Sequence, residues 1–113
     1  MHEVGVMQSA LEIALEQAGR QGARRIDCIA LRVGTLSGVV PEALEFAFDV
    51  VARGTIAEGG RLVVEIVPIL CACAGCDAEF RADDLIFDCP RCQRPGARVR
   101  NGRELELAYL EVS

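Results

Sequence analysis

Residues 70–92 read LCACAGCDAEFRADDLIFDCPRC, and this stretch decides how the chain is organised. It contains two Cys-x-x-Cys pairs, Cys73 with Cys76 and Cys89 with Cys92, separated by twelve residues. A spacer of this length can form one hairpin and bring both pairs around a single tetrahedral ion. Thiolate sulfur suits Zn²⁺, and four protein ligands leave no position for water. The pattern therefore predicts a structural Zn(II) site.

Alternative roles for the cysteines must be weighed. The pairs could form disulfides or redox dithiols, although two pairs at this spacing outside a strand-to-helix context favour metal. Cys71 forms Cys-x-Cys-x-x-Cys with Cys73 and Cys76, so it could exchange into the site, but a thiol at a strand end is the simpler interpretation. Cys28 lies within an apolar stretch and is most simply a small core residue.

Aliphatic residues dominate on both sides of the cysteine segment. Their spacing predicts helices over 4–18 and from Pro41 to Arg53, and strands over 26–33, 61–67 and 104–112. We therefore expect an α+β fold of two helices packed on a three-stranded sheet, with an inserted four-cysteine module that resembles a zinc ribbon. The expected core comprises residues 1–69 and 103–113. The expected module, 70–102, has few large apolar residues and should need its metal to fold.

Composition narrows the possible functions. The chain has 113 residues, of which 51% are hydrophobic, and its formal net charge is −5. Its longest basic stretch is Arg24-Arg25, without interleaved aromatic residues, so nucleic acid is not an expected partner. Glu3 stands where a signal peptide would carry positive charge, and no apolar run approaches membrane-spanning length. We expect a cytoplasmic protein in a reducing compartment, without membrane attachment.

The sequence starts Met1-His2-Glu3. His2 is too large a second residue for methionine removal, so the α-amine of Met1 should persist. That amine, the His2 amide nitrogen and the His2 imidazole can close adjacent chelate rings, with Glu3 as a further ligand. Nitrogen-rich planar geometry favours Ni²⁺ or Cu²⁺ over Zn²⁺, and binding should weaken as pH falls because the metal displaces protons. Taken alone this signal is weak, since any histidine at position 2 can chelate nickel.

Several motifs occur in one order along the chain. They are Met1-His2-Glu3 ahead of an amphipathic helix, Ile29-x-Leu31-x-Val33-Gly34, Phe46-x-Phe48-Asp49 followed by Arg53-Gly54-Thr55, and the Cys-x-x-Cys pairs with Cys71 before them. Together they closely resemble the hydrogenase nickel-insertion metallochaperone family HypA/HybF, over essentially the whole chain.

The resemblance implies a nickel metallochaperone and not an enzyme. Such a protein delivers Ni(II) to the large subunit of [NiFe]-hydrogenase, together with a nickel-binding GTPase and, in some organisms, with urease maturation proteins. By similarity, the transient nickel ligands are Met1, His2 and Glu3, and the zinc ligands are Cys73, Cys76, Cys89 and Cys92. A monomer or weak homodimer is expected. The alternative function is a zinc-ribbon interaction adaptor without a nickel-carrier role.

Overall fold

The computed structural model describes residues 2–82 and 87–113. Its elements are, in chain order, α1 (His2–Arg20), β1 (Ile26–Gly34), a 3₁₀ turn (Thr35–Ser37), α2 (Pro41–Val51), β2 (Arg61–Val67), β3 (Ile69–Ala72), β4 (Glu79–Ala82), β5 (Arg98–Asn101) and β6 (Leu105–Val112). Within the described part of the chain, the strands form two three-stranded sheets, ordered β2-β1-β6 and β4-β3-β5. The predicted α+β class, with two helices and a three-stranded sheet, is confirmed.

The two helices pack against each other through apolar residues at helical spacing. From α1 these are Met7, Leu11, Ala14 and Ala18, and from α2 they are Leu44, Ala47 and Phe48. Pro41 occupies the start of α2, where its missing N–H is not needed. Both helices were predicted, and α1 extends two residues beyond the predicted range at each end.

The first sheet is built around β1, which lies between β2 and β6. Nearly every β1 side chain is buried, including Cys28, which is a core residue as predicted. Arg32 is the exception near the end of the strand. Its guanidinium pairs with Glu65 of β2 at 3.7 Å and with Glu106 of β6 at 3.0 Å, so one side chain links all three strands.

The second sheet was not predicted. Its central strand β3 pairs antiparallel with β4 and with β5, and Cys71 lies opposite Phe80 and Val99. Ile69, Cys71 and Ala97 form a small buried cluster, with partly buried apolar residues packed around it. The three strands have only four residues each, which is too short for a clear alternation of apolar and polar positions in sequence.

Backbone contacts divide the chain into two compact units. The first comprises Met1–Arg32, Gly38–Glu65 and Glu106–Ser113, and the second comprises Val33–Ser37 and Ile66–Leu105. His2 and Glu3 belong to the first unit, whereas all four cysteines of the predicted zinc site belong to the second. Among the described helices, none is long and apolar enough to cross a bilayer.

Candidate metal sites

The two Cys-x-x-Cys pairs converge on one point of the second unit. The sulfurs of Cys73, Cys76, Cys89 and Cys92 all lie within 4.8 Å of one another, with Cys73–Cys92 at 3.5 Å and Cys76–Cys89 at 3.6 Å. A tetrahedral Zn²⁺ with bonds of about 2.3 Å places its sulfur ligands about 3.8 Å apart. A disulfide would need about 2.05 Å. The arrangement therefore fits a four-thiolate metal site.

The first pair is shaped by a tight turn. The amide of Gly75 donates to the Cys73 sulfur at 3.3 Å, and the amide of Asp77 donates to the Cys73 carbonyl at 2.9 Å. Asp77 closes the turn with a positive φ of 60°, a conformation that Asp adopts more readily than most residues. The turn places Cys76 beside the other sulfurs.

The second pair repeats this local structure. The amide of Cys92 donates to the Cys89 sulfur at 3.5 Å, the amide of Gln93 donates to the Cys89 carbonyl at 2.7 Å, and Gln93 has a φ of 64°. The next residue, Arg94, accepts a hydrogen bond from the Cys89 amide at 3.0 Å through its carbonyl. Its guanidinium lies against Gly75, where a side-chain Cβ would be 2.7 Å from the Arg94 Nε atom. Arg94 thus joins the two turns.

Backbone amides lower the pKa of two of the four thiols. Donation from backbone amides, first that of Cys76, lowers the pKa of Cys73. Donation led by the Cys92 amide lowers the pKa of Cys89 to about 6 in spite of burial. At Cys76 the Ala78 amide acts in the same direction, but burial and hydrogen bonds to the other thiols outweigh it and raise the pKa to about 11. The lowered pKa values of Cys73 and Cys89 make these sulfurs easier to deprotonate for metal binding, whereas the raised pKa of Cys76 means that a metal must displace its proton.

Cys71 lies outside this cluster. It lies in β3 one residue before the end of the strand, and it is fully buried in the apolar cluster with Ile69 and Ala97. Burial raises the pKa of its thiol, and the positive charge of Arg103 only partly opposes that effect. Cys71 is thus held as a neutral core residue.

The predicted nickel ligands lie at the start of α1. His2 is exposed at the first residue of the helix, and Met1 lies outside the described residues. The first amides of a helix have no intrahelical acceptor, so the His2 amide is not committed to the helix. The Glu3 carboxylate accepts a long hydrogen bond of 3.4 Å from the amide of Val40, the residue that precedes α2. Sequence analysis missed this contact, and that of Arg94 with Gly75, because both depend on tertiary structure.

A family model described as "Hydrogenase/urease nickel incorporation, metallochaperone, hypA" matches residues 1–112. The chain belongs to the HypA family. A hydrogenase maturation factor HypA from Picosynechococcus sp. is 47% identical over 112 residues, covering 99% of each chain. Another from Chloroflexus aurantiacus is 42% identical over 113 residues, also covering 99% of each.

Solved HypA structures share the fold. The solution structure of the Ni metallochaperone HypA from Helicobacter pylori superposes with a TM-score of 0.67 at 20% identity, covering 97% of this chain and 96% of that one. A second solution structure of a HypA protein gives a TM-score of 0.69 at 22% identity and covers 100% and 97%. The family assignment confirms the resemblance seen in sequence and places the chain among nickel metallochaperones, which are maturation factors and not enzymes.

Proposed function

We propose that the chain is a cytoplasmic nickel carrier that binds Ni(II) through the Met1 α-amine, His2 and Glu3 and delivers it to the large subunit of [NiFe]-hydrogenase. The observation that carries the proposal is the family match over residues 1–112. The matched range contains both predicted metal sites, the N-terminal histidine and the two cysteine pairs. A nickel-binding GTPase is the proposed partner, and urease maturation proteins are further candidates. The carrier would act as a monomer or weak homodimer.

The position of His2 supports a transfer role. An exposed chelate at the end of a chain can be approached by a second set of ligands, which exchange of a metal requires. The helix N-terminus carries partial positive charge that disfavours a cation, and the Glu3 carboxylate in the first turn offsets it. The amide of Val40 donates a hydrogen bond to this carboxylate and holds it near the helix start. The Glu3 side chain would therefore lose less conformational entropy when nickel binds.

The four cysteines are proposed to hold Zn(II) as a structural ion. A set of four thiolates has no open coordination position. Its sulfur ligands also prefer different metal ions from the nitrogen ligands of the N-terminus. We assign nickel to the core of residues 1–69 and 103–113, and zinc to the module of residues 70–102. The metals are thus separated by ligand type.

Calorimetric titration with Ni²⁺ tests the nickel site, using untagged zinc-loaded protein that begins at Met1. We expect one tight site per chain, which is lost in His2→Ala and also when one residue is added before Met1. The added residue preserves every side chain and removes only the α-amine from its position. It therefore tests the role of the α-amine more specifically than His2→Ala does. Glu12→Gln, in the same helix, is the matched control and should bind like the parent. Unchanged nickel affinity in both terminal variants would overturn the proposal.

A zinc-ribbon adaptor is the second candidate, favoured by the closed geometry of the four sulfurs. The activity of matured hydrogenase, measured in cells that carry single variants of the chain, distinguishes the adaptor from the nickel carrier. A nickel carrier loses maturation in His2→Ala even when the zinc content is normal. An adaptor retains maturation in His2→Ala and loses it in Cys89→Ser.

A further inference from the structure

The exposed face of α2 has an unusual composition. Its exposed residues are Glu42, Glu45, Phe46, Asp49 and Val50, so the face combines two apolar side chains with three carboxylates and no cation. Phe46 is 69% exposed and Val50 is 44% exposed. Residues four apart are neighbours on a helix, so Phe46 and Val50 form one ridge with Glu42 a turn before them. We call these five residues the α2 face.

A groove continues this ridge within the same compact unit. It has a volume of about 460 Å³, and Val50 and Val51 of α2 line it together with residues of α1. The α1 contributions are Gln8, Leu11, Glu12 and Leu15. The groove therefore repeats the chemistry of the α2 face, with aliphatic walls and a carboxylate at the rim. Apolar surface that continues from a ridge into a groove is typical of sites that bind an amphipathic helix.

The carboxylates around the ridge are without ion-pair partners among residues 2–82 and 87–113. Among the described residues, Glu12, Glu42, Glu45 and Asp49 form no ion pair or side-chain hydrogen bond, whereas Glu16 of α1 pairs with Arg20 at 2.6 Å. Their charges are therefore available to an incoming cation. Complementary charge around an apolar centre selects partners and accelerates their association.

We propose that the α2 face and its groove bind a basic amphipathic helix of another protein, with an aliphatic side in the groove and arginine or lysine side chains over the carboxylates. A second copy of the chain is a poor occupant, because a two-fold contact through this face would oppose like charges. The surface comprises the α2 face and a groove lined by α1 residues between Gln8 and Leu15, and it contains none of the proposed nickel ligands, so its use does not depend on them.

Fluorescence anisotropy with a synthetic amphipathic peptide tests the proposal. The probe carries leucines on one side and arginines beside them, and its matched counterpart has glutamate in place of every arginine. We expect the basic peptide to bind and the acidic one not to. The double variant Phe46→Ser with Val50→Ser should weaken binding by roughly tenfold or more, because central apolar contacts dominate such interfaces. Ile13→Ser removes a similarly exposed apolar residue, 49% exposed, outside the groove and should have no effect.

Charge is tested separately from apolar contact. Replacing Glu42, Glu45 and Asp49 with their amides should weaken binding and reduce its dependence on salt. Circular dichroism confirms that each variant is folded. The proposal is overturned if the basic peptide binds the serine double variant as tightly as the parent, if both peptides bind alike, or if ultracentrifugation shows that the free chain self-associates through Phe46.

Discussion

Two buried cysteines that are two residues apart have opposite chemistry. The sulfur of Cys73 accepts a hydrogen bond from the Gly75 amide, and backbone amides lower its pKa. The sulfur of Cys71 lies in an apolar cluster, and burial raises its pKa. The difference arises because Cys73 stands where β3 gives way to a turn with free amides, whereas Cys71 lies inside the strand. Position in the backbone therefore separates a candidate ligand from a core residue.

This contrast leads to a prediction about zinc content. Cys71→Ala should retain about one zinc per chain, since it removes only a small buried group. Cys89→Ser should lose the metal, because three thiolates and a hydroxyl do not complete the preferred ligand set. Elemental analysis after dialysis against a weak chelator measures both. Loss of zinc in a folded Cys71→Ala variant would instead make Cys71 a ligand.

Among single residues, sequence spacing selected those that form the four-sulfur cluster. The cysteines share one motif, and its geometry depends mainly on local turns. The contact of Arg94 with Gly75 and that of Glu3 with Val40 were not predictable, because each joins segments that are distant in sequence. The periodicity of apolar residues along a sequence carries no information on contacts between such distant segments. The identity of the bound metals stays a prediction, since sulfur spacing fits more than one thiophilic ion.

At the scale of elements, the end of β1 meets the loop before β6 at unusually close range. The amide of Gly34 donates to the Glu104 carbonyl at 2.7 Å, and the amide of Leu36 donates to the Gly102 carbonyl at 2.7 Å. A Cβ atom on Gly34 would lie 2.1 Å from the Gly102 carbonyl oxygen. Backbone cannot move aside as a flexible side chain can, so only glycine fits at position 34.

Gly34→Ala should therefore destabilise the zinc-loaded protein by about 2–3 kcal/mol, the range of severe overpacking. Gly19→Ala in α1 is the matched control, because a Cβ there meets nothing within 4 Å. The control should be neutral or stabilising by up to about 1 kcal/mol, since alanine favours the helix. Thermal unfolding followed by circular dichroism compares them. Equal melting temperatures for the two variants would contradict the close approach of Gly34 to the Gly102 carbonyl.

Prediction of the elements succeeded where an apolar pattern was long. The helices and strands β1, β2 and β6 span seven residues or more and carry clear periodicity. β5 has only Val99 as a large apolar residue, and β3 follows Pro68 directly after β2. Their pairing depends on contacts across the cysteine segment rather than on local preference, so the sequence pattern did not reveal the second sheet.

At the scale of the whole molecule, charge is distributed unevenly. The second compact unit contains six arginines and six carboxylate residues, so the formal net charge of −5 resides in the first unit. This distribution adds a long-range field to the local charges of the α2 face, and such fields raise the association rate of oppositely charged partners. The arginines of the second unit instead accompany a site at which four thiolates and one divalent ion would together carry a net negative charge.

Stability is also divided between the units, which leads to a prediction about metal removal. The first unit buries large side chains such as Met7, Ile29 and Leu44, whereas the second is centred on Ile69, Cys71 and Ala97. A strong chelator should therefore abolish amide protection in β3, β4 and β5 and leave α1 and α2 protected, because the small cluster cannot offset the entropy of folding without metal. Hydrogen exchange with mass spectrometry measures this, with added zinc restoring protection.

The same exchange experiment contains its own control in the helices. If the metal stabilises only the second unit, the amide protection of α1 and α2 should stay the same after chelation and after zinc is added back. Retained protection in β3 after complete zinc loss would show that the small cluster suffices to fold the second unit. Simultaneous loss of protection in α1 and β3 would show that the chain unfolds cooperatively, and the metal would then stabilise the first unit as well as the second.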